Sequence, residues 1–244
     1  MIAAGDYRDG IWRRLYLEVA GLGGWRRAVA GLSLGAITVA ALPPAHWLPV
    51  LPVSFAGLVW LIKSAASRRA AFVAGWWFGL GYFAAGIYWF SHALLIDAAK
   101  HGWLIPFAVG GLSAALALYP ACAALLVRIS GARGGARILA LAAAWTVMEW
   151  MRGELFTGFP WNPLGNVWVA SEEMIQLAAL TGVFGLTLVT VLVSAAPAAL
   201  AQKGTLFRRW GPSAAAAVGL VLIWGGGAWR LAGEIGRASC RERV

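Results

Sequence analysis

Residues 149–168 read Glu149-Trp-Met-Arg152-Gly-Glu-Leu-Phe156-Thr157-Gly158-Phe159-Pro160-Trp161-Asn-Pro163-Leu164-Gly-Asn-Val-Trp168, and by composition they are neither a regular helix nor a solvated loop. Pro160 and Pro163 remove backbone donors and fix φ, while Gly158 supplies turn freedom, so no helix runs through. A solvated loop is polar, whereas this one sets Phe156, Phe159, Trp161, Leu164 and Trp168 between its glycines and prolines. Irregular backbone with apolar side chains beside a membrane span is tolerated only against protein or at the interface. The segment therefore reads as a re-entrant or surface-lying loop with aromatic anchors. An ordinary interfacial aromatic belt is the alternative.

The rest of the chain supplies the membrane. Of 244 residues 61% are hydrophobic and 12% charged, with a mean hydropathy of +0.73 and 15 Trp. Soluble domains carry about 25% charged residues, so the fold class is an all-α polytopic membrane protein. Apolar runs at 28–42, 49–62, 70–95, 103–127, 138–151, 174–200 and 212–229 predict a bundle of about seven transmembrane helices. Pro120 predicts a kink in the fourth run. Gly75 and Gly79, with Gly86 beyond, make a small-residue face on the third that admits a close helix.

The formal charge of +10 does not mark a nucleic-acid binder, because the basic residues sit between apolar runs rather than on one face. They fall on alternate connections: Arg26–Arg27, Lys63 with Arg68–Arg69, Arg128 with Arg133 and Arg137, and Lys203 with Arg208–Arg209. That alternation places the N-terminus in the cytoplasm, the 149–168 loop outside, and the chain end outside. Residues 1–24, polar and broken by Asp6, Arg8, Asp9 and Glu18, form a cytoplasmic extension with no cleavable signal peptide.

Residues 25–230 form the transmembrane domain. Residues 231–244 form a tail whose string Glu234-Ile-Gly-Arg-Ala-Ser-Cys-Arg-Glu-Arg-Val244 is unlike anything before it. It resembles a translated read-through of a sequencing adapter. The natural chain is expected to depart near Gly233, with a native basic tail as the alternative, and Cys240 beside Arg241 belongs to that tail.

Few groups offer chemistry. Glu149 and Arg152 lie three apart on the last turn of the fifth helix and can pair on one face. Such a pair either neutralises itself at the interface or presents Arg152 as a fixed cation for a lipid phosphate, oriented by Glu149. His46, His92 and His101 stand at span ends with no Ser or Asp spacing around them. Cys122 lies among alanines, and two cysteines make no metal set or disulfide framework. No catalytic residue, metal ligand or cofactor motif is read from the chain.

The motif Glu149-Trp-Met-Arg152-Gly-Glu-Leu-Phe-Thr157-Gly158-Phe159-Pro160-Trp161 resembles the signature loop of bacterial apolipoprotein N-acyltransferases. Ala41-Leu-Pro43-Pro-Ala-His-Trp47, Gly79-Leu-Gly81-Tyr-Phe-Ala-Ala-Gly86-Ile-Tyr-Trp89 and Gln176-Leu-Ala-Ala-Leu-Thr-Gly182-Val-Phe-Gly185-Leu are similar to other parts of that family's amino-terminal membrane domain. The resemblance covers residues 25–230.

It implies an enzyme of the bacterial inner membrane that moves an acyl chain from a phospholipid donor to the N-terminal, diacylglyceryl-modified cysteine of an apolipoprotein. In the family a cysteine, a glutamate and a lysine do this through a thioester, in a nitrilase-like domain between the seventh and eighth spans. That domain is absent from this chain, so no catalytic residue carries over and the fragment is expected to be inactive alone. Glu149, Arg152, Thr157, Gly158, Phe159, Pro160 and Trp161 are the expected lipid-binding or domain-docking residues. The bilayer is a further partner, and nucleic acid is not. A small-molecule transporter or channel, or a membrane scaffold without activity, are the alternatives; a transporter predicts midplane polar residues and internal repeats, which the chain lacks.

Overall fold

The computed structural model describes residues 10–241, and side chains for residues 10–233. The readings of residues 1–9 and of the tail side chains lie outside the described residues. Within them the chain is helical and has no strand.

A short α1 (Ile11–Gly21) precedes α2 (Gly24–Thr38), α3 (Val50–Lys63) and α4 (Arg68–Gly86). Next come α5 (Phe90–Leu95), α6 (Ala98–His101), α7 (Ile105–Leu116) and α8 (Leu118–Ile129). The second half holds α9 (Gly135–Glu154), α10 (Glu172–Ile175), α11 (Ala178–Ala195) and α12 (Leu206–Arg241). Three stretches of the described residues, Ala98–Ile129, Ala178–Ala201 and Leu206–Gly233, are long and apolar enough to cross a membrane by length and composition.

The breaks have local causes. Pro120 lacks an N–H and crowds the carbonyl four residues back, and that carbonyl belongs to Leu116, where α7 ends. The kink read near Pro120 is this break. The third apolar run does not continue as one helix to residue 95. It stops at Gly86, whose carbonyl accepts a hydrogen bond from Asn162 Nδ2 (2.8 Å) instead of serving the helix. Inside α11, Gly182 takes a positive φ of 66°, so the chain turns there before the regular helix proceeds.

α3 is the hub. Its residues from Ser54 to Ile62 are all buried, and α1, α2, α4, α8, α9 and α11 pack around it. A helix apolar on every side belongs inside a bundle rather than on its surface. Aromatic edges fill the centre. The Phe55 ring lies 5.2 Å from Trp145 and 5.7 Å from Phe78, with Tyr82 6.4 Å from Trp145, within the range where edge-to-face pairs are favourable.

Helix approach relies on missing side chains. A Cβ on Gly75 would lie 2.6 Å from the Pro120 carbonyl oxygen, and one on Gly79 would lie 2.9 Å from Ala117 Cα, so the small face of α4 is filled by α8. On its other side Gly81 of α4 abuts the Leu32 carbonyl while Gly35 of α2 abuts the Phe78 carbonyl. Small residues facing one another in this way let backbones touch where lipid provides no hydrophobic drive.

Candidate functional site

The loop after α9 is held from below by two buried charges. Glu149 and Arg152 are 5% and 3% exposed, and Arg152 Nη2 stands 3.9 Å from Glu149 Oε2. At that distance the two attract without a tight hydrogen bond, and each charge is served mainly by other groups. The Leu164 N–H donates to Glu149 Oε2 (3.1 Å) and the Thr187 hydroxyl donates to Oε1 (2.5 Å). Arg152 Nη1 donates to the carbonyls of Phe159 (2.5 Å) and Trp161 (2.7 Å). Its guanidinium also lies 5.3 Å from the Phe83 ring centre.

The network ties three helices to the loop. Gly165 N–H donates to Thr187 Oγ1 (2.9 Å), and Trp168 Nε1 donates to Thr190 Oγ1 (2.8 Å), which joins the loop's far arm to α11. The Tyr82 hydroxyl donates to the Asn162 carbonyl (2.6 Å), and the Asn162 amide returns to Gly86, which joins the loop's middle to the end of α4. Buried polar groups need such partners, since leaving one unmade costs about 1–3 kcal/mol.

The turn itself is strained. Phe156, Thr157 and Gly158 have successive positive φ values of 53°, 73° and 79°, and Asn162 has 54°. Only glycine fits at 158, because a Cβ there would overlap the Gly153 carbonyl. Non-glycine residues held at positive φ cost on the order of 1–3 kcal/mol each, so the surrounding hydrogen bonds must outweigh them. That strain turns Phe156 outward, 92% exposed. Trp161 is 54% exposed, its ring 5.3 Å from that of Trp89, which is itself 40% exposed. Phe159 instead packs against the core, and Pro160 is exposed.

The expected site residues thus lie together, in two layers. Glu149 and Arg152 are buried and face the loop's own backbone, Gly158 and Thr157 shape the turn, and Pro160 and Trp161 form the surface with Phe156. The space beside Glu149, Arg152, Tyr82 and Trp145 is only about 10 Å³, room for at most one water.

Tyr82, Asn162, Thr187 and Thr190 were not singled out from the sequence. The signal for the threonines was present: two hydroxyls three residues apart in an otherwise apolar run, facing one way on a helix. For Tyr82 and Asn162, 80 residues apart, no local signal exists.

Comparison with known proteins bears on the same segment. The family model described as apolipoprotein N-acyltransferase N-terminal domain matches residues 34–196. An apolipoprotein N-acyltransferase of Rhodopseudomonas palustris is 42% identical over 219 residues, covering 88% of this chain and 41% of the relative. One of Bradyrhizobium diazoefficiens is 41% identical over 226 residues, covering 90% of this chain and 42% of the relative. One of Caulobacter vibrioides is 43% identical over 181 residues, covering 73% and 34%. The chain spans about two fifths of the length of the first two.

Proposed function

The chain belongs to the apolipoprotein N-acyltransferase family, and from that premise we propose that residues 25–230 are its lipid-presenting membrane domain. In this reading about seven spans cross the inner membrane, residues 1–24 lie in the cytoplasm, and the 149–168 loop and the chain end face the periplasm. The acyl donor is a phospholipid, and the acceptor is the amino group of a diacylglyceryl-modified cysteine on an apolipoprotein. The thioester chemistry falls to a nitrilase-like domain, so residues 25–230 alone hold and orient lipid without cleaving it.

One observation carries the reading: a strained turn, anchored by the buried Glu149–Arg152 pair, raises Phe156 and Trp161 to the surface beside Trp89. Such a platform costs strain and buried charge, which a plain aromatic belt does not require. A water-accessible thiolate needs its acyl chain delivered at the membrane surface, and rigid aromatic rings there accept hydrocarbon on one side and water on the other. Against a transporter, Glu149 and Arg152 are taken up by Thr187 and by the loop's own backbone, and the space beside them is only about 10 Å³.

The test is Trp161→Ala in a version carrying the catalytic domain. The ring is half out of the fold, so the bundle keeps its unfolding midpoint, while acyl transfer to a diacylated peptide falls at least tenfold, in line with the cost of misplacing a reactant. Unchanged turnover would remove the loop from the mechanism.

A further inference from the structure

The end of the bundle remote from the loop holds a second built feature. α9 spans the distance between them, from Arg137 to Arg152, about 22 Å at 1.5 Å per residue. Around Arg137 the chain brings together Arg13 from α1, Lys63 from the end of α3, Arg133 from the turn before α9, and Lys203 from beyond α11, lining one cavity of about 570 Å³. No carboxylate lines it among the described residues. The Lys63 ammonium lies 3.9 Å from the Tyr16 ring centre, and burial, then the guanidiniums of Arg137 and Arg13, hold it below the usual lysine range. Clustered cations beside low-dielectric walls concentrate counter-ions.

The cup does not end in water. It shares Arg133, Gly134, Gln202 and Lys203 with a larger cavity of about 1320 Å³, whose mouth carries the exposed rings of Phe207 and Trp210. That cavity shares Gly135, Pro212 and Ala215 with a groove of about 340 Å³. The groove runs between α9, α11 and α12 and is walled by hydrocarbon, including Ile138, Leu192 and Leu220. Cations, then interfacial aromatic rings, then an apolar slot follow the order of a lipid from phosphate to acyl chain.

We propose that this continuous cleft binds an anionic phospholipid of the leaflet on the basic side. Its phosphate sits among Lys63, Arg133, Arg137 and Lys203, and one acyl chain lies in the groove between α9, α11 and α12. The site is separate from the loop that serves the acyl donor. It rests on the chain being embedded in a membrane and not on acyl transfer. The occupant stabilises the fold by neutralising the cup and by closing α12, which is otherwise little buried, onto α9 and α11.

The experiment needs no enzymatic readout. The chain purified in dodecyl maltoside is heated while its 15 Trp report unfolding, with added dioleoyl phosphatidylglycerol, dioleoyl phosphatidylcholine, or inorganic phosphate. Phosphatidylglycerol raises the midpoint saturably, phosphatidylcholine of the same chains does so at least tenfold more weakly, and inorganic phosphate does not. Arg133 and Lys203 are exposed, so R133Q/K203Q folds, and its half-saturation for phosphatidylglycerol weakens on the order of thirtyfold. Ala215→Trp, which fills the groove from an exposed position, weakens it as well.

R68Q/R69Q removes two exposed cations that do not line the cleft and leaves the response within about twofold. Equal responses to the two lipids, no saturable response, or an equal loss in R68Q/R69Q would overturn the site. Protection by inorganic phosphate matching that of phosphatidylglycerol and indifferent to Ala215→Trp would make the cup a soluble-phosphate site and overturn the lipid assignment.

Discussion

Replacing Arg152 with methionine keeps most of the side chain's volume and removes its charge and donors. Two carbonyls, those of Phe159 and Trp161, then lose their shared donor, and Glu149 loses the cation beside it in a place only 5% exposed. At an effective dielectric constant near 20, charges 3.9 Å apart attract by about 4 kcal/mol. Breaking a buried pair by removing one partner costs about 3–5 kcal/mol in practice. The orphaned carbonyls add less, because the loop surface around Trp161 is open to water.

The expected loss for Arg152→Met is therefore about 4 kcal/mol, read from sodium dodecyl sulfate titration in mixed micelles with tryptophan fluorescence. Glu149→Gln costs less, since an amide oxygen in the Oε1 position still accepts from Thr187 and, at 3.3 Å, from Leu164 N–H, and Arg152 keeps its two carbonyls. The double variant E149Q/R152M recovers part of the loss, with a coupling of about 2 kcal/mol between the sites. A loss under about 1 kcal/mol in Arg152→Met, or strict additivity in the double variant, would refute the claim that this pair anchors the loop.

Gly81→Ala drives a methyl group into the Leu32 carbonyl, a backbone atom that cannot rotate away, and lowers stability by about 1–3 kcal/mol in the same titration as α2 and α4 part. Tyr82→Phe removes the donor to the Asn162 carbonyl at small change of volume, costing about 1 kcal/mol and making the 155–163 segment more open to limited proteolysis. Lys63 holds its proton less firmly folded than unfolded, so over the pH range just below the ordinary lysine value the unfolded chain binds more protons and stability rises with pH. Lys63→Met flattens that rise and is more stable than the parent at neutral pH without added lipid, as unfolding midpoints at a series of pH values between about 7 and 10 will report.

Much of this architecture was legible along the chain, because crossing a membrane is a property of contiguous residues. Apolar stretches such as Ala178–Ala201, the proline break before α8 and the small face of α4 each depend on residues a few positions apart. Residues 155–163 were legible as irregular for the same reason: Pro160, Pro163 and Gly158 act on their own backbone. The resemblance of the TGFPW motif supplied the family.

The partners of those elements were decided only in three dimensions. Glu149 is stabilised by Thr187, 38 residues on, and Asn162 by Gly86, 76 residues back. No periodicity encodes which hydroxyl meets which carboxylate. Nor did composition separate Phe159, packed inward, from Phe156, turned out by three successive positive φ values, though both are phenylalanines in one loop. The basic residues read one by one as markers of sidedness became a cup only when α1, α3, α9 and the segment beyond α11 met. Hydropathy and charge assign a segment to lipid or water because solvation acts on each residue by itself. Which buried groups pair, and which surfaces become concave, depends on packing between segments far apart in the chain, and that is the tertiary structure's contribution.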